Sequence, residues 1–312
     1  MKLAICTDVF ADLSYTEMLD KVKGLGIDAV EMTAGGWGAR KHIDTQELLA
    51  NANKRKEFMY ELEKREMRIS ALNTSCNPLW PSETGIAYSE SMCDCVRLAE
   101  MLGVQKIVCM AGLPAGNETD TTPNWIVSTI SWPDFMQPAY EYQWKVTIAW
   151  WKEFVKHCKK HGINQIAIEE FPGTMVWNVD TMLKLRNAVD PMIGINLDPS
   201  HMLVLGSDPI ASVRALEGCI YHVHGKDARI ERGIVELNGL FEPRPVTESS
   251  KRSWNYVAVG CGQDLQWWKE FFSILSMAGY DGDVSLEMED LTMSVDAGVL
   301  TSIDALQQTI SK

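Results

Sequence analysis

The sequence lacks a long apolar run, and basic residues are in the minority. No stretch of about 18 consecutive apolar residues occurs, so no transmembrane helix is predicted. The first residues, MKLAICTDVF, carry one lysine and a short apolar stretch, which favours a first strand over a signal peptide. The chain has 29 Lys and Arg against 42 Asp and Glu, for a net charge of −13. We therefore expect no nucleic acid and no anionic membrane as a main partner.

Paired cysteines are missing as well. Eight cysteines are present, but no two form a CxxC pair, and Cys93 and Cys95 form a CxC inside a helical pattern. This spacing does not fit a zinc finger or a small disulfide scaffold. We expect reduced thiols and a cytoplasmic protein.

Markers of other α/β architectures are also absent. No GxGxxG follows the first predicted strand, which disfavours an open dinucleotide-binding sheet. Neither a low-complexity tract nor a domain-splitting linker interrupts the chain. Its 312 residues suit one α/β barrel, and the 46% hydrophobic content supports a large core. We expect residues 1–312 to form a single domain.

The sequence does contain a regular alternation of β-rich and helical patterns. Helical patterns at Thr16–Leu25, Thr45–Glu66, Glu90–Leu102 and Tyr140–His161 separate short strands, and several end at a glycine. Eight such repeats predict an α/β fold, a parallel sheet closed into a (β/α)8 TIM barrel. The predicted strands are Leu3–Cys6, Ala29–Met32, Ile69–Asn73, Lys106–Met110, Gln165–Glu169, Ile193–Asp198, Ile220–His224 and Val284–Glu287.

Two connections are unusually long. Residues 113–138 follow the fourth predicted strand, and residues 226–262 follow the seventh. Both leave the carboxyl ends of strands, where the active sites of TIM barrels lie. We predict that these long loops are lids or substrate walls.

Four consecutive predicted strands end in an ionisable side chain. The fifth ends at Glu169, the sixth at Asp198, the seventh at His224 and the eighth at Glu287. Because these strand ends meet at one rim, the four groups should face one another. Three carboxylates and an imidazole at one place repel unless a cation neutralises them, so a divalent metal ion is predicted. The oxygen-rich set favours Mn²⁺, with Mg²⁺ or Co²⁺ as alternatives.

Each residue also has an interpretation that needs no metal. Asp198 begins an Asp-Pro-Ser turn, His224 suits a buried structural histidine, and Glu287 suits a surface charge. Their coincidence on four successive strands favours the metal. Strand alternation places Glu169 on the same side as Ala167, which favours Glu169 over Glu170 as the inward group.

Three motifs follow one another in the second half of the chain. They are LDPSH at residues 197–201, HVHGKD at residues 222–227 and AGYDGDVSLEMED at residues 278–290. Earlier segments, EMTAGGWGARKHID at residues 31–44 and NPLWP at residues 77–81, fit the same pattern. On these motifs the chain resembles the sugar phosphate isomerase/epimerase family of xylose-isomerase-like barrels.

The resemblance implies roles for the strand-end residues. Glu169, Asp198, His224 and Glu287 would be the metal ligands. Glu169 and Glu287 would also be the catalytic acid/base pair, moving a proton next to a carbonyl through an enediolate that the metal stabilises. The candidate substrate contacts are His201, Lys226, His42, Trp37, Asn77 and Trp80.

The chain departs from the family pattern at three positions. Trp80, Phe171 and Met288 stand where relatives often carry histidine. These apolar side chains predict a substrate with an apolar or aromatic part. Four tryptophans support the same expectation unless they only pack the loops, namely Trp37, Trp125, Trp132 and Trp254.

Two enzymatic functions remain open at this stage. The first is a metal-dependent isomerase or epimerase of a keto-sugar or 3-oxo-sugar derivative. The alternative is a C-glycoside deglycosylase, a lyase that eliminates a phenolic aglycone and works with a small partner subunit. Phosphodiester cleavage is disfavoured by the acidic charge and by the presence of only six histidines. A non-catalytic sugar-binding barrel is a further alternative, and we expect a homo-oligomer or a complex with a small second subunit.

Overall fold

Eight parallel strands form a closed barrel in the computed structural model, which describes residues 1–38 and 40–310. The described residues contain ten strands, two of which lie outside the barrel: β1 (Lys2–Cys6), β2 (Ala29–Thr33), β3 (Arg68–Asn73), β4 (Lys106–Met110), β5 (Gln165–Glu169), β6 (Ile193–Leu197), β7 (Ile220–Gly225), β8 (Asp227–Ile230), β9 (Trp254–Val257) and β10 (Asp283–Leu286). The order around the barrel is β1, β10, β7, β6, β5, β4, β3, β2, while β8 and β9 form a separate antiparallel hairpin. The predicted (β/α)8 TIM barrel is confirmed.

Helices follow the strands and carry their own start and stop signals. Before the first helix, the Ser14 side chain accepts a hydrogen bond from the Glu17 N–H, and the Glu17 side chain accepts one from the Ser14 N–H. Gly103 ends the fourth helix with a φ of 72°, a conformation that glycine adopts readily. The helices are α1 (Tyr15–Gly24), α2 (Thr45–Ala50), α3 (Ala52–Glu63), α4 (Glu83–Leu102), α5 (Pro133–Lys160), α6 (Val179–Val189), α7 (Pro199–Val204), α8 (Pro209–Ala215), α9 (Val235–Asn238), α10 (Leu265–Met277) and α11 (Val295–Thr309), with 3₁₀ turns at Thr7–Phe10 and Val246–Lys251.

Some predicted boundaries are wrong for identifiable reasons. The helix predicted over Thr45–Glu66 is divided into α2 and α3, because Asn51 has extended backbone and its side chain caps α3. Strand β6 ends at Leu197, one residue before its predicted end, because Asp198 is already the N-cap of α7. Helix α5 begins at Pro133, within the predicted loop 113–138, because proline is well tolerated in the first turn of a helix.

The two long connections differ in structure. Between β4 and α5, the chain forms an irregular segment with one isolated bridge between Ala115 and Pro123. The connection after β7 contains the β8–β9 hairpin, helix α9 and a 3₁₀ turn. Both segments leave the carboxyl ends of barrel strands, as the sequence predicts.

The inside of the barrel contains a small apolar cluster and several buried polar side chains. Ala71, Val108 and Ala167 pack together as one small apolar cluster. Barrel strands also carry buried polar side chains, including Glu31, Asn196, His222 and Ser285. The main apolar core lies between the barrel and its helices, where Trp268 of α10 is completely buried. Among the described residues, no helix is both long enough and apolar enough to cross a membrane.

Candidate metal centre and active site

The structure brings the four strand-end residues together at the carboxyl end of the barrel. Glu169, Asp198, His224 and Glu287 each contribute one potential ligand atom, and these atoms all lie within 4.8 Å of one another. Nδ1 of His224 is 3.2 Å from Glu287 Oε2, and 3.7 Å from both Glu169 Oε1 and Asp198 Oδ2. We call these residues the four-residue set.

Asp198 combines the turn interpretation with the metal interpretation. Its Oδ1 accepts hydrogen bonds from the Ser200 N–H at 2.8 Å and the Ser200 hydroxyl at 2.7 Å, so it caps α7. Its own N–H donates to Glu170 Oε1 at 3.0 Å, which fixes the backbone at the start of the turn. The second carboxylate oxygen, Oδ2, remains directed into the four-residue set.

The donor atoms of the set fit a divalent cation. Asp198 Oδ2 and His224 Nδ1 are buried and have no hydrogen-bond partner among the described residues. Such unpartnered atoms are costly unless another group binds them. Three carboxylates and one imidazole nitrogen are ligands that Mn²⁺, Mg²⁺, Co²⁺ or Zn²⁺ accept. The residues present therefore suit a metal ion at this position.

Burial and neighbouring charges shift the pKa values of the two glutamates in opposite directions. Burial raises the pKa of Glu169, although the His224 charge and a hydrogen bond from His201 oppose this effect. Burial would also raise the pKa of Glu287, but the charges on Lys226 and His224 hold it below its usual range. The two carboxylates are therefore not equivalent in the metal-free protein.

Lys226 lies over the set from the other side of the cavity. Its Nζ is 3.1 Å from Glu287 Oε2 and 2.8 Å from Glu289 Oε2. The ammonium group also lies 4.4 Å from the centroid of the Tyr256 ring. Burial opposes its charge, but the carboxylates of Glu287 and Glu289 raise the pKa of Lys226 well above its usual value. The side chain is thus a positive charge held at the wall of the site.

A cavity of about 310 Å³ opens above the four-residue set. This volume lies at the lower end of the range for small-molecule sites, about 300–1,000 Å³. Two of the three positions that depart from the family pattern, Phe171 and Met288, line it, together with Trp37 and Lys226. The cavity thus joins a charged floor to partly apolar walls.

Two predicted substrate contacts, both histidines, do not line this cavity. His201 is fully buried, with Nε2 2.9 Å from Glu169 Oε1 and Nδ1 2.9 Å from the Tyr256 hydroxyl. His201 therefore holds the Glu169 carboxylate in place by a hydrogen bond. Nε2 of His42 is 3.2 Å from the Phe10 carbonyl oxygen, and His42 lines a separate surface depression. Neither histidine lines the cavity, so their contact with substrate remains a prediction.

Asn77 and Trp80 do not line the cavity either, and their contact with substrate also remains a prediction. The Asn77 side chain donates to the Leu113 carbonyl oxygen at 2.9 Å and accepts from the Leu113 N–H at 2.7 Å. Its polar atoms therefore tie the loop after β3 to the segment after β4. Trp80 donates from Nε1 to the Thr121 carbonyl oxygen at 2.9 Å and does not line the cavity.

The four tryptophans expected near the substrate have different roles in the structure. Trp37 lines the cavity and is 54% exposed. Trp125 packs edge-on against Trp177, and Trp132 lies at the surface. Trp254 donates from Nε1 to a backbone carbonyl in the connection after β7. Of the four tryptophans, Trp37 alone contributes to the mouth of the site.

Glu31 is the main residue that the sequence interpretation missed. It is 1% exposed, and Oε2 lies 2.8 Å from His222 Nε2 and 3.2 Å from His224 Nε2. Cys6, Glu31 and His224 also place potential ligand atoms within 4.8 Å of one another. A single acid within the otherwise apolar strand AVEMT was the signal that could have identified it.

Comparison with known proteins agrees with this geometry. The family model described as xylose isomerase-like TIM barrel matches residues 19–309. The chain belongs to this family. One family relative, described as uncharacterized protein YfiH of Bacillus subtilis (strain 168), is 52% identical over 313 residues and is matched over 100% of both chains.

Two solved structures share the fold at low sequence identity. The IolI protein with a bound zinc atom has a TM-score of 0.68 and 19% identity, with 100% of both chains covered. A D-tagatose 3-epimerase-like protein has a TM-score of 0.66 and 19% identity, with 98% of this chain and 97% of that chain covered. At these identities the similarity shows a common architecture.

Proposed function

We propose that the protein is a divalent-metal-dependent isomerase or epimerase that acts on a keto-sugar or 3-oxo-sugar derivative. One observation carries the proposal: two members of the four-residue set, Glu169 and Glu287, line a small cavity, while Asp198 Oδ2 and His224 Nδ1 are buried beside them without a hydrogen-bond partner. The likeness to a D-tagatose 3-epimerase-like protein supports this class of reaction, and the likeness to zinc-binding IolI supports a metal site.

The chain's own residues provide the proton-transfer groups. We assign Glu169 and Glu287 as the acid/base pair, because both belong to the four-residue set and both line the cavity. His201 holds Glu169 by a hydrogen bond, and Lys226 holds Glu287 by an ion pair. Lys226 also provides a cation for a substrate oxygen. Each carboxylate is thus supported by a separate partner on the protein.

A metal ion held by the four residues would polarise the substrate oxygens and stabilise negative charge next to the carbonyl. We propose Mn²⁺ for this site, with Mg²⁺ or Co²⁺ as alternatives, because three of the four ligands are carboxylates. The zinc atom of IolI makes Zn²⁺ a further candidate to compare.

The experiment combines metal loading with solvent-exchange measurements. Purified protein is loaded separately with Mn²⁺, Mg²⁺, Co²⁺ or Zn²⁺ and incubated in D₂O with a panel of ketoses and 3-oxo-sugars. NMR then detects deuterium at the carbon next to the carbonyl. Glu169→Gln and Glu287→Gln should each lower the exchange rate by about 10²–10⁴-fold. Glu289→Gln is the matched control, because Glu289 lines the cavity but lies outside the four-residue set.

The outcomes are distinct. Metal-dependent exchange that both site variants abolish and the control retains supports the proposal. Metal binding without exchange in any sugar of the panel counts against an isomerase or epimerase. Absence of metal binding in the wild-type protein contradicts the metal site itself.

A second cavity favours an alternative reaction. It has a volume of about 490 Å³ and shares Phe171, Met288 and Glu289 with the first cavity. Val246 and Leu291 give it further apolar wall. A sugar bound in the first cavity could therefore place an apolar substituent in the second. We propose a C-glycoside deglycosylase, working with a small second subunit, as the second candidate.

Both candidates begin with the same proton transfer. In the second, the C–H bond next to the 3-oxo group breaks, a C=C bond forms, and the bond to the β-substituent breaks. The substituent leaves with the bonding electrons and takes up a proton. A phenolic 3-oxo-C-glucoside distinguishes the two reactions. Released phenol supports the lyase, whereas intact glycoside carrying deuterium supports the isomerase or epimerase.

A further inference from the structure

A chain of buried polar side chains leads from the four-residue set into the barrel. It consists of His224 and His222 on β7, Glu31 on β2 and Lys106 on β4, and Asn73 on β3 contacts Glu31. The two histidines and Glu31 are each at most 1% exposed. Since buried polar groups must satisfy their hydrogen bonds within the protein, the order of donors and acceptors along this chain can be worked out.

The Lys106 end fixes the protonation of His222. Nζ of Lys106 donates to the Tyr221 carbonyl oxygen at 3.1 Å and lies 3.2 Å from His222 Nδ1. An ammonium group has only donors, so His222 Nδ1 must accept. The His222 proton then lies on Nε2, which donates to Glu31 Oε2 at 2.8 Å.

Glu31 in turn fixes the orientation of His224. Its Oε1 accepts from Asn73 Nδ2 at 2.8 Å, and its Oε2 accepts from His222, so the carboxylate is an acceptor throughout. His224 Nε2 lies 3.3 Å from Oε1 and 3.2 Å from Oε2, and must therefore carry a proton. Nδ1 is then the nitrogen that faces Glu169, Asp198 and Glu287.

Asn196 is compatible with this arrangement. Its amide lies 3.1 Å from His224 Nε2, and its Oδ1 is otherwise buried without a partner. A half-turn of the amide places Oδ1 towards the Nε2 proton and the amide nitrogen where Oδ1 now lies, so the Asn196 side chain accepts either protonation of Nε2.

The charges of Glu31 and Lys106 are also consistent with Nδ1 of His224 as the metal-binding nitrogen. The negative charge of Glu31 is matched by the ammonium group of Lys106 at the other side of His222. Burial would lower the pKa of His224, but the charges on Glu31 and Glu169 raise it well above its usual value. A metal ion bound at Nδ1 would replace the proton on that nitrogen, while Nε2 keeps its proton towards Glu31. A neutral imidazole with a free Nδ1 is the form that binds a metal ion.

We propose that Glu31 is a positioning residue that presents Nδ1 of His224 to the metal ion. His222 and Lys106 hold the Glu31 carboxylate in place for this role. The inference rests on the proposed metal function and adds three residues to it. Carboxylate–histidine–metal arrangements commonly tune metal affinity in this way.

The first test determines which nitrogens of His224 and His222 carry a proton and which one binds the metal ion. Protein containing ¹⁵N-labelled histidine is loaded with diamagnetic Zn²⁺, and long-range ¹H–¹⁵N correlations identify the protonated and metal-bound nitrogens. We expect His224 to bind zinc through Nδ1 and to retain the proton on Nε2, and His222 to be protonated on Nε2. Zinc binding through Nε2 of His224 would overturn the inference, and this wild-type measurement needs no variant.

The second test uses Glu31→Gln, whose side chain keeps the shape of glutamate but brings an amide donor to His224. Competition with a chromophoric chelator should show zinc affinity lower by about 10–100-fold, with circular dichroism unchanged. Asp190→Asn is the matched control, because this partly buried acid pairs with Lys159 and has no hydrogen bond to any residue of the chain from Lys106 to His224. Unchanged affinity in Glu31→Gln would overturn the inference. Failure of the wild-type protein to bind any metal would instead overturn the proposed function.

Discussion

At the scale of single residues, the site reuses the same side chains for structure and for chemistry. Asp198 caps a helix with one carboxylate oxygen and directs the other into the four-residue set. His201 was expected to contact substrate, but it supports Glu169 and is itself held by Tyr256. Asp198 is thus positioned in part by a sequence neighbour, Ser200, whereas Glu169 is positioned by His201, which lies 32 positions away in the sequence.

Lys226 gives a prediction at this scale. Lys226→Met removes a positive charge that lies 3.1 Å from Glu287, so the four-residue set should bind a divalent metal ion at least as tightly as before. The same change removes a cation from the cavity wall, so kcat/KM should fall by about 10²-fold. Metal titration and steady-state kinetics measure the two effects separately.

Lys226→Arg retains the charge and should keep the wild-type metal affinity. A kcat/KM for Lys226→Met within about threefold of wild type would remove Lys226 from the site.

At the scale of elements, the connection after β7 depends on one buried carboxylate. Asp227 is fully buried, and its two oxygens accept hydrogen bonds from five N–H groups. Gly262 has no room for a side chain here, since a Cβ would lie 2.3 Å from the Ala228 carbonyl oxygen. The turn therefore requires glycine, and it holds the β8–β9 hairpin against the barrel. The five donors belong to Ala228, Gly260, Gly262, Gln263 and Trp268.

Asp227→Asn should loosen this connection. Asparagine replaces one acceptor oxygen with a donor amide, which faces N–H groups that need acceptors. We expect a loss of about 2–4 kcal/mol in the free energy of unfolding, measured by urea denaturation. Limited proteolysis should cut residues 231–253 more rapidly. Asp281→Asn, a change at an exposed acid, is the control. Equal proteolysis of the two variants would contradict the anchoring role.

At the scale of the whole molecule, an ion pair joins strands that are not neighbours in the barrel. Arg68 begins β3 and Asp283 begins β10, with β1 and β2 between them. Nη1 of Arg68 donates to Asp283 Oδ2 at 2.7 Å, and Nη2 donates to Oδ1. Burial would raise the pKa of Asp283, but the Arg68 guanidinium lowers it below its usual range. The pair therefore closes the amino end of the barrel, opposite the active site.

This pair predicts a dependence of stability on pH. Because the folded-state pKa of Asp283 is depressed, the contribution is present above the unfolded pKa of about 3.9 and is lost as the pH falls through the folded value. Asp283→Asn should cost about 1 kcal/mol near pH 7, since Arg68 is half exposed. The difference between the two proteins should shrink below about pH 4. Urea unfolding from pH 3 to pH 7 tests this, and a constant difference would contradict it.

The sequence by itself determined the barrel and the candidate ligands. The eight strands and the order of LDPSH, HVHGKD and SLEMED placed Glu169, Asp198, His224 and Glu287 at one rim. This succeeds because strand alternation and strand ends are local properties, and because a closed parallel barrel brings all its carboxyl ends to the same side.

Only the tertiary structure decided what surrounds those ligands. Glu31 joins His222 and His224 across the barrel, at sequence separations of 191 and 193 positions. Asn77 and Trp80 are taken up by contacts to the segment after β4, and no local pattern reports such contacts. A local sequence pattern states which side of a strand a residue occupies. The hydrogen-bond partners of that residue come from distant segments, and the positions of those segments are fixed only when the whole barrel packs.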